Sequence, residues 1–106
     1  MSLNVKILSL LSGIIGVSDR VGIASTIFYI CDLYLDGNIK EEKARAEIYN
    51  ICYNIVRFAN FDLTEDEARK KARVMADEIM RAVKLEGTRR LVLSKFKSRG
   101  SSILPF

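Results

Sequence analysis

The sequence predicts a small all-α bundle of four main helices: two N-terminal apolar helices, then an antiparallel helical hairpin, with a basic C-terminal tail or short hairpin. Three observations support this fold class. Apolar residues recur at helical spacing nearly throughout the 106 residues, the clearest internal break is the turn Asp36-Gly37-Asn38, and the single proline is Pro105. A chain of this length forms one domain with a modest core.

The first helix is predicted from an apolar stripe near the start of the chain. Apolar side chains return at the spacing of one helix face at Leu3, Ile7, Leu10, Leu11 and Ile14. A stripe of this kind needs a surface to pack against, supplied either by the same chain or by a second copy of it.

The second helix is predicted to run from a cap at Ser18 or Asp19 to about Asp36. It is apolar on most faces, and such a helix is normally buried from several sides. The β-branched residues within 25–30 would also suit a strand. The length of the apolar run and the lack of a hairpin partner favour a central helix.

Two further helices are predicted at about 40–59 and 64–85, each with an acidic first turn that complements the helix dipole. Thr64 and Glu67 have the spacing of a capping box, and the apolar residue Leu63 stands just before it. Because the link at residues 60–62 is short, we expect the two helices to pack antiparallel.

The last twenty residues differ in charge from the rest, which divides the chain into a bundle, 1–86, and a basic appendage, 87–106. The appendage holds five of the 17 basic residues and none of the 13 acidic ones. It therefore carries +5, while residues 1–86 carry −1 (12 basic and 13 acidic). The pattern of the appendage leaves three structures open: a β-hairpin, a short fifth helix or a flexible arm. Pro105 weakens the second strand of such a hairpin.

The residues that most catalytic and metal sites require are missing. The chain has no histidine, and its two cysteines are isolated rather than spaced as a zinc site. No glycine-rich phosphate loop is present, and the paired acids lie where helix N-termini account for them. The sequence therefore predicts neither an enzyme nor a bound cofactor or metal.

Clustered positive charge favours a polyanionic partner, and we expect that partner to be nucleic acid. Phe96 lies between two lysines, where an aromatic ring can stack on a base. The spacing of a helix-turn-helix is absent, so weak sequence preference is expected, and DNA and RNA are equally open. The residues predicted to bind nucleic acid are Arg89, Arg90, Lys95, Phe96, Lys97 and Arg99.

The alternative is a homo-oligomeric assembly or adaptor protein, most simply a dimer. A C-terminal apolar peptide after a Ser-Gly stretch suits an arm that docks on another subunit. The first helix would supply the rest of the contact. The residues predicted to bind a second subunit are Leu3, Ile7, Leu10, Ile14, Ile103, Leu104 and Phe106.

Cys31 and Cys52 both lie in apolar, helical stretches. They are expected to be buried thiols of a protein from a reducing compartment. No segment has the roughly 20 apolar residues of a membrane span, so a cytoplasmic protein is expected. The absence of glutamine and the abundance of Ile, Lys, Arg and Glu resemble the bias of proteins from hot environments.

Overall fold

The chain forms four helices: α1 (Leu3–Ser12), α2 (Val17–Leu35), α3 (Glu41–Ala59) and α4 (Glu65–Ile103). The computed structural model describes residues 3–12, 17–60 and 62–103, with side chains left out for 17–19 and 96–103. No strand occurs within these ranges. The predicted all-α fold is therefore confirmed, including the helix at 25–30, where a strand was the alternative.

The turn between α2 and α3 is closed by a glycine with positive φ. Gly37 has φ 80°, a left-handed conformation that only glycine adopts without strain. Its N–H donates to the carbonyl of Tyr34 (3.1 Å), and the N–H of Asn38 donates to that of Leu33 (2.8 Å). These are the two hydrogen bonds of a Schellman motif, which satisfies carbonyls at the end of α2.

The predicted capping box begins α4. The N–H of Glu67 donates to the hydroxyl of Thr64 at 3.2 Å, and the N–H of Thr64 donates to the carboxylate of Glu67 at 3.0 Å. These two bonds satisfy backbone donors that a helix start leaves free. The backbone N–H of Thr64 also holds the pKa of the Glu67 carboxyl below its usual range, with the Thr64 hydroxyl adding to the effect.

Helices α3 and α4 pack antiparallel, as predicted. Arg45 pairs with Asp77, and nearer the start of α3 the Glu41 carboxylate lies 2.9 Å from the Nζ of Lys84. Residues that advance along α3 therefore meet residues that recede along α4. The alanine seam of α4, which is Ala68, Ala72 and Ala76, is buried and lets the two helices approach closely.

The core is shared by all four helices. Helix α1 packs on α2 and α4, and α3 packs on the same two helices. No polar or charged residue is buried among those described. Fully buried large side chains come from every helix: Ile7, Leu11, Ile27, Ile48, Val56, Ile79, Met80 and Val83.

This core changes the interpretation of the apolar stripe on α1. Leu3 is 4% exposed and Ile7 0% exposed, both covered by the chain's own helices. In this conformation both side chains are covered within the protomer, and the oligomer contact predicted for them stays a prediction. The pattern required a buried face, and α2 with α4 supplies it within one protomer.

The structure also differs from the sequence analysis after residue 85. Instead of ending there, α4 continues without a break through the predicted appendage to Ile103, a length of 39 residues. A helix of that length spans about 58 Å, close to the 64 Å long axis of the molecule. The segment is thus neither a β-hairpin nor a separate fifth helix. Across the described residues, no helix combines the length and apolarity needed to cross a membrane.

Candidate nucleic-acid interface

The C-terminal part of α4 leaves the bundle near Gly87. Val83 is the last buried residue of the described side chains, and every residue from Thr88 to Lys95 is exposed. We call residues 88–103 the α4 extension. It contains five basic residues and no acidic one, over about 24 Å of helix.

Gly87 is placed where α2 ends against α4. A Cβ built on Gly87 would lie 3.0 Å from the Cδ2 of Leu35, the last residue of α2. The glycine therefore lets the end of α2 approach the helix closely. Its role is in packing between helices, and the local chain stays helical on both sides.

Three ion pairs fix the first turn of the α4 extension. Glu86, whose side chain is only 16% exposed, accepts from Arg90 at 3.3 Å and lies 3.8 Å from Arg89. Arg90 also reaches Asp32 of α2 at 3.5 Å. The pair of Glu86 with Arg90 stabilises the helix across Gly87, because the two residues are one turn apart on the same helix face.

The outward face of α4 is basic beyond the extension itself. Arg81, Thr88 and Lys95 lie at intervals of seven residues, which places them nearly in line along the helix. All three are exposed. Within the described residues, no ion pair engages the basic side chains of Lys70, Lys71, Arg73, Arg81 or Lys95.

The acids of α4 after its first turn are all neutralised. Asp77 pairs with Arg45, Glu78 lies 3.9 Å from the Nζ of Lys6, and Glu86 holds the two arginines described above. The charge left over on this helix is therefore positive. A helix surface with net positive charge attracts polyanions through its summed electrostatic potential.

The predicted nucleic-acid residues divide into three groups in the structure. Lys95 is exposed and has no acidic partner among the described side chains, whereas Arg89 and Arg90 are exposed but already paired with acids. Phe96, Lys97 and Arg99 belong to α4, but their side chains are outside the described part. Arg81 was not predicted to bind. Its signal in the sequence is the 14-residue spacing to Lys95, two steps of seven, which places the two residues on one face only if the helix is continuous.

The predicted oligomer residues are also divided. Leu3 and Ile7 are buried within the protomer, and Leu10 is half-buried. Ile103 ends α4, with its side chain outside the described part, and Ile14, Leu104 and Phe106 lie outside the described residues altogether.

A cluster of exposed apolar side chains lies at the exit of α4 from the bundle. Leu85 is 68% exposed, and Leu91, Val92 and Leu93 are 57%, 59% and 47% exposed. Because the three consecutive residues point in different directions around a helix, they cannot all pack on one neighbouring surface of the bundle. Apolar surface left open in this way is typical of a site of interaction.

Among the described residues we looked for a reactive thiol and for a cluster of metal ligands. Burial raises the pKa of the Cys31 and Cys52 thiols to about 12, so neither is a thiolate nucleophile at neutral pH. Both are free and buried, as predicted. The ranges that the structure describes contain no group of three or more potential ligands able to hold a metal ion.

Comparison of the chain with models of protein families, with curated proteins and with solved structures finds no match.

Proposed function

We propose that this chain binds nucleic acid, without catalysis and with weak sequence preference, through the basic outward face of α4. The observation that supports this most is the α4 extension, a helical segment with five basic residues and no acid, in which every described side chain from Thr88 to Lys95 is exposed. Each phosphate that such a surface neutralises releases counterions, which favours binding at low salt.

The geometry around the extension supports the same proposal. Gly87 and the Glu86 ion pairs hold the start of the extension to the bundle, and Lys95, which has no acidic partner within the described residues, is exposed toward a phosphate backbone. Arg81 and Lys95 are 14 residues apart, about 21 Å along the axis. A polyanion that follows the helix can therefore meet several positive charges, whereas a small anion cannot.

A salt series on paired variants tests this proposal. Arg89→Gln/Lys95→Gln removes two charges from the extension. Lys40→Gln/Lys43→Gln removes two exposed charges at the start of α3 that make no ion pair within the described ranges. Affinity for fluorescent single-stranded DNA, duplex DNA and RNA is measured between 50 and 200 mM salt by anisotropy. We expect the first variant alone to reduce the slope of log K against log salt by about 1.4 to 1.8, or 0.7 to 0.9 per lost phosphate contact. An equal loss from both variants, or no binding by the unaltered chain, refutes the proposal.

The exposed apolar cluster of Leu85 and Leu91–Leu93 favours a second candidate, assembly of the chain into a homo-oligomer through the α4 extension. Two such extensions carry +5 each, so their association would be opposed by charge and would strengthen as salt screens it. Nucleic-acid binding has the opposite salt dependence. Molar mass by light scattering at low and high salt, with Leu91→Gln/Leu93→Gln as the variant, separates the two functions.

We also propose that the protein works in the cytoplasm. Support comes from Cys31 and Cys52, which are unpaired thiols of the core. Free thiols persist in compartments that keep cysteine reduced.

A further inference from the structure

Three open pockets that share lining residues follow α4, two of them beside α3 and the third beside the end of α2, and we call them together the groove. Its widest part, about 700 Å³, lies between α3 and α4 and is lined by Tyr49, Asn50, Arg69 and Arg73 among others. A narrower part, shared through Arg45 and Asp77, adds Arg81 and Lys84. The last part, shared through Lys84, runs past Tyr34 and Thr88 to Leu91. From Arg69 to Leu91 the groove follows 22 residues of helix, about 33 Å.

The free charge along this groove is net positive: Arg73 and Arg81 outnumber Glu42, the one lining carboxylate without a basic partner within the described residues. Asp77 is engaged by Arg45, and Glu41 is engaged by both Arg45 and Lys84. The guanidinium groups of Arg73 and Arg81 have no acidic partner within the described residues, and both side chains are exposed. They are eight residues apart on α4, which separates them by about 12 Å along the groove. The groove therefore offers two uncommitted charges in sequence to an extended anion.

Aromatic rings accompany these charges. Tyr49 lines the widest part and is half-buried, and its ring is stacked on Tyr53 with centroids 6.2 Å apart and planes at 19°. A ring held in this way has already lost much of its rotational freedom before any ligand arrives. Tyr34 lines the far end, where its hydroxyl lies 3.5 Å from the Glu41 carboxylate. Fixed aromatic rings beside free cations are the elements with which proteins hold unpaired bases.

We propose that this groove binds single-stranded nucleic acid, with a base stacked at Tyr49 and a phosphate on Arg73. The inference rests on the proposed function and specifies its substrate class. A duplex can meet the outward face of α4 through its phosphates, but its bases are already stacked on each other. Only a single strand can place a base on Tyr49 while its backbone follows Arg73 and Arg81.

The test compares a single-stranded 12-mer of deoxythymidine with the same strand annealed to its complement, both fluorescein-labelled, on the full chain. Tyr49→Leu removes the ring, Tyr49→Phe keeps it, and Tyr29→Leu alters a 63% exposed tyrosine of α2 as the matched control. Loss of one stacked base is expected to weaken single-strand binding about 5- to 150-fold. Duplex affinity should change less than twofold, and the Phe and Tyr29 variants should match the unaltered chain.

Arg73→Gln tests the proposed phosphate contact. Because Arg73 is exposed, this variant is expected to fold. It should lower the single-strand salt slope by about 0.7, and Lys43→Gln, outside the groove, should leave it unchanged. If the unaltered chain binds nucleic acid but Tyr49→Leu and Arg73→Gln affect both polymers equally or neither, the groove proposal is wrong while the proposed function stands. If the unaltered chain binds neither polymer at low salt, both are wrong.

Discussion

Replacing Ile7 with alanine tests whether α1 belongs to the core of one protomer. Ile7 is 0% exposed, and Leu3 and Leu11 on the same face are 4% and 0% exposed. Truncating a fully buried isoleucine to alanine costs about 2–5 kcal/mol, from lost burial and the cavity left behind. A domain of this size has a total stability of about 5–15 kcal/mol. The variant should therefore lose a large fraction of its stability.

The effect should extend to the whole of α1. A helix of 10 residues is marginal by itself in water, so α1 depends on these three side chains for its existence. We expect Ile7→Ala to lower both the unfolding free energy and the helical circular dichroism before the main transition. The control is Val5→Ala, at a position 50% exposed, which should stay within about 0.5 kcal/mol of the unaltered chain.

The assay is urea unfolding followed by circular dichroism at protein concentrations that differ 100-fold. If Ile7 is buried within the protomer, the loss of free energy is the same at every concentration. A loss under about 1 kcal/mol would refute the burial. A midpoint that rises with concentration in the unaltered chain and not in Ile7→Ala would instead place Ile7 in a subunit interface, as the sequence first suggested.

Three more predictions concern single contacts. Thr64→Ala removes the capping box and should cost about 1 kcal/mol in urea unfolding, with Thr64→Ser near neutral; an unchanged free energy for the alanine variant would contradict the observed cap. Lys84→Met should raise the pKa of Glu41, which Lys84 holds below its usual range chiefly through a hydrogen bond. In the unaltered chain the Glu41 carboxylate stabilises the fold at pH values above its unfolded pKa, and this contribution is lost as pH falls through the lower folded pKa. Carbon NMR titration of Glu41 compares its pKa in the variant and in the unaltered chain. Identical titrations would refute the pairing. Both cysteines should resist a thiol reagent at pH 8 and react at once in denaturant, because a thiol with a pKa of about 12 is ionised in only about one molecule in ten thousand at that pH.

The sequence was most informative where structure depends on near neighbours. The capping box at Thr64 and the turn at Gly37 are local patterns with one structural solution, and both occur as predicted. The hairpin of α3 and α4 followed from them, because a short link between two helices leaves little choice of direction.

The structure differed from the sequence analysis where contacts between residues far apart in the sequence determine the local structure. The last bundle helix was predicted to end at about residue 85, but Gly87 lies within α4, where its small size accommodates Leu35, a residue 52 positions earlier. The appendage left a β-hairpin, a short fifth helix and a flexible arm open, and the contact of Arg90 with Asp32 of α2, 58 residues earlier, favours its continuation as α4. No local pattern distinguishes these outcomes.

The candidate site shows the same limit. The basic residues of the α4 extension were found from composition alone, since charge needs no partner to be counted. The groove was not found, because Tyr49 and Arg73 belong to different helices and meet only through the antiparallel register of the hairpin. The apolar stripe of α1 predicted burial correctly but could not identify which surface covers it.

The central claim is that α4 is the nucleic-acid-binding surface, and chemical-shift mapping tests it most directly. Backbone amide spectra of ¹⁵N-labelled protein are recorded during titration with the deoxythymidine 12-mer at low salt. The account predicts that the shifted amides cluster on α4 between Arg73 and Lys95 and around Tyr49 on α3, and return to their free positions as salt is added. Shifts confined to the exposed face of α2 near Val21 and Tyr29, or no shifts at saturating DNA, would contradict it.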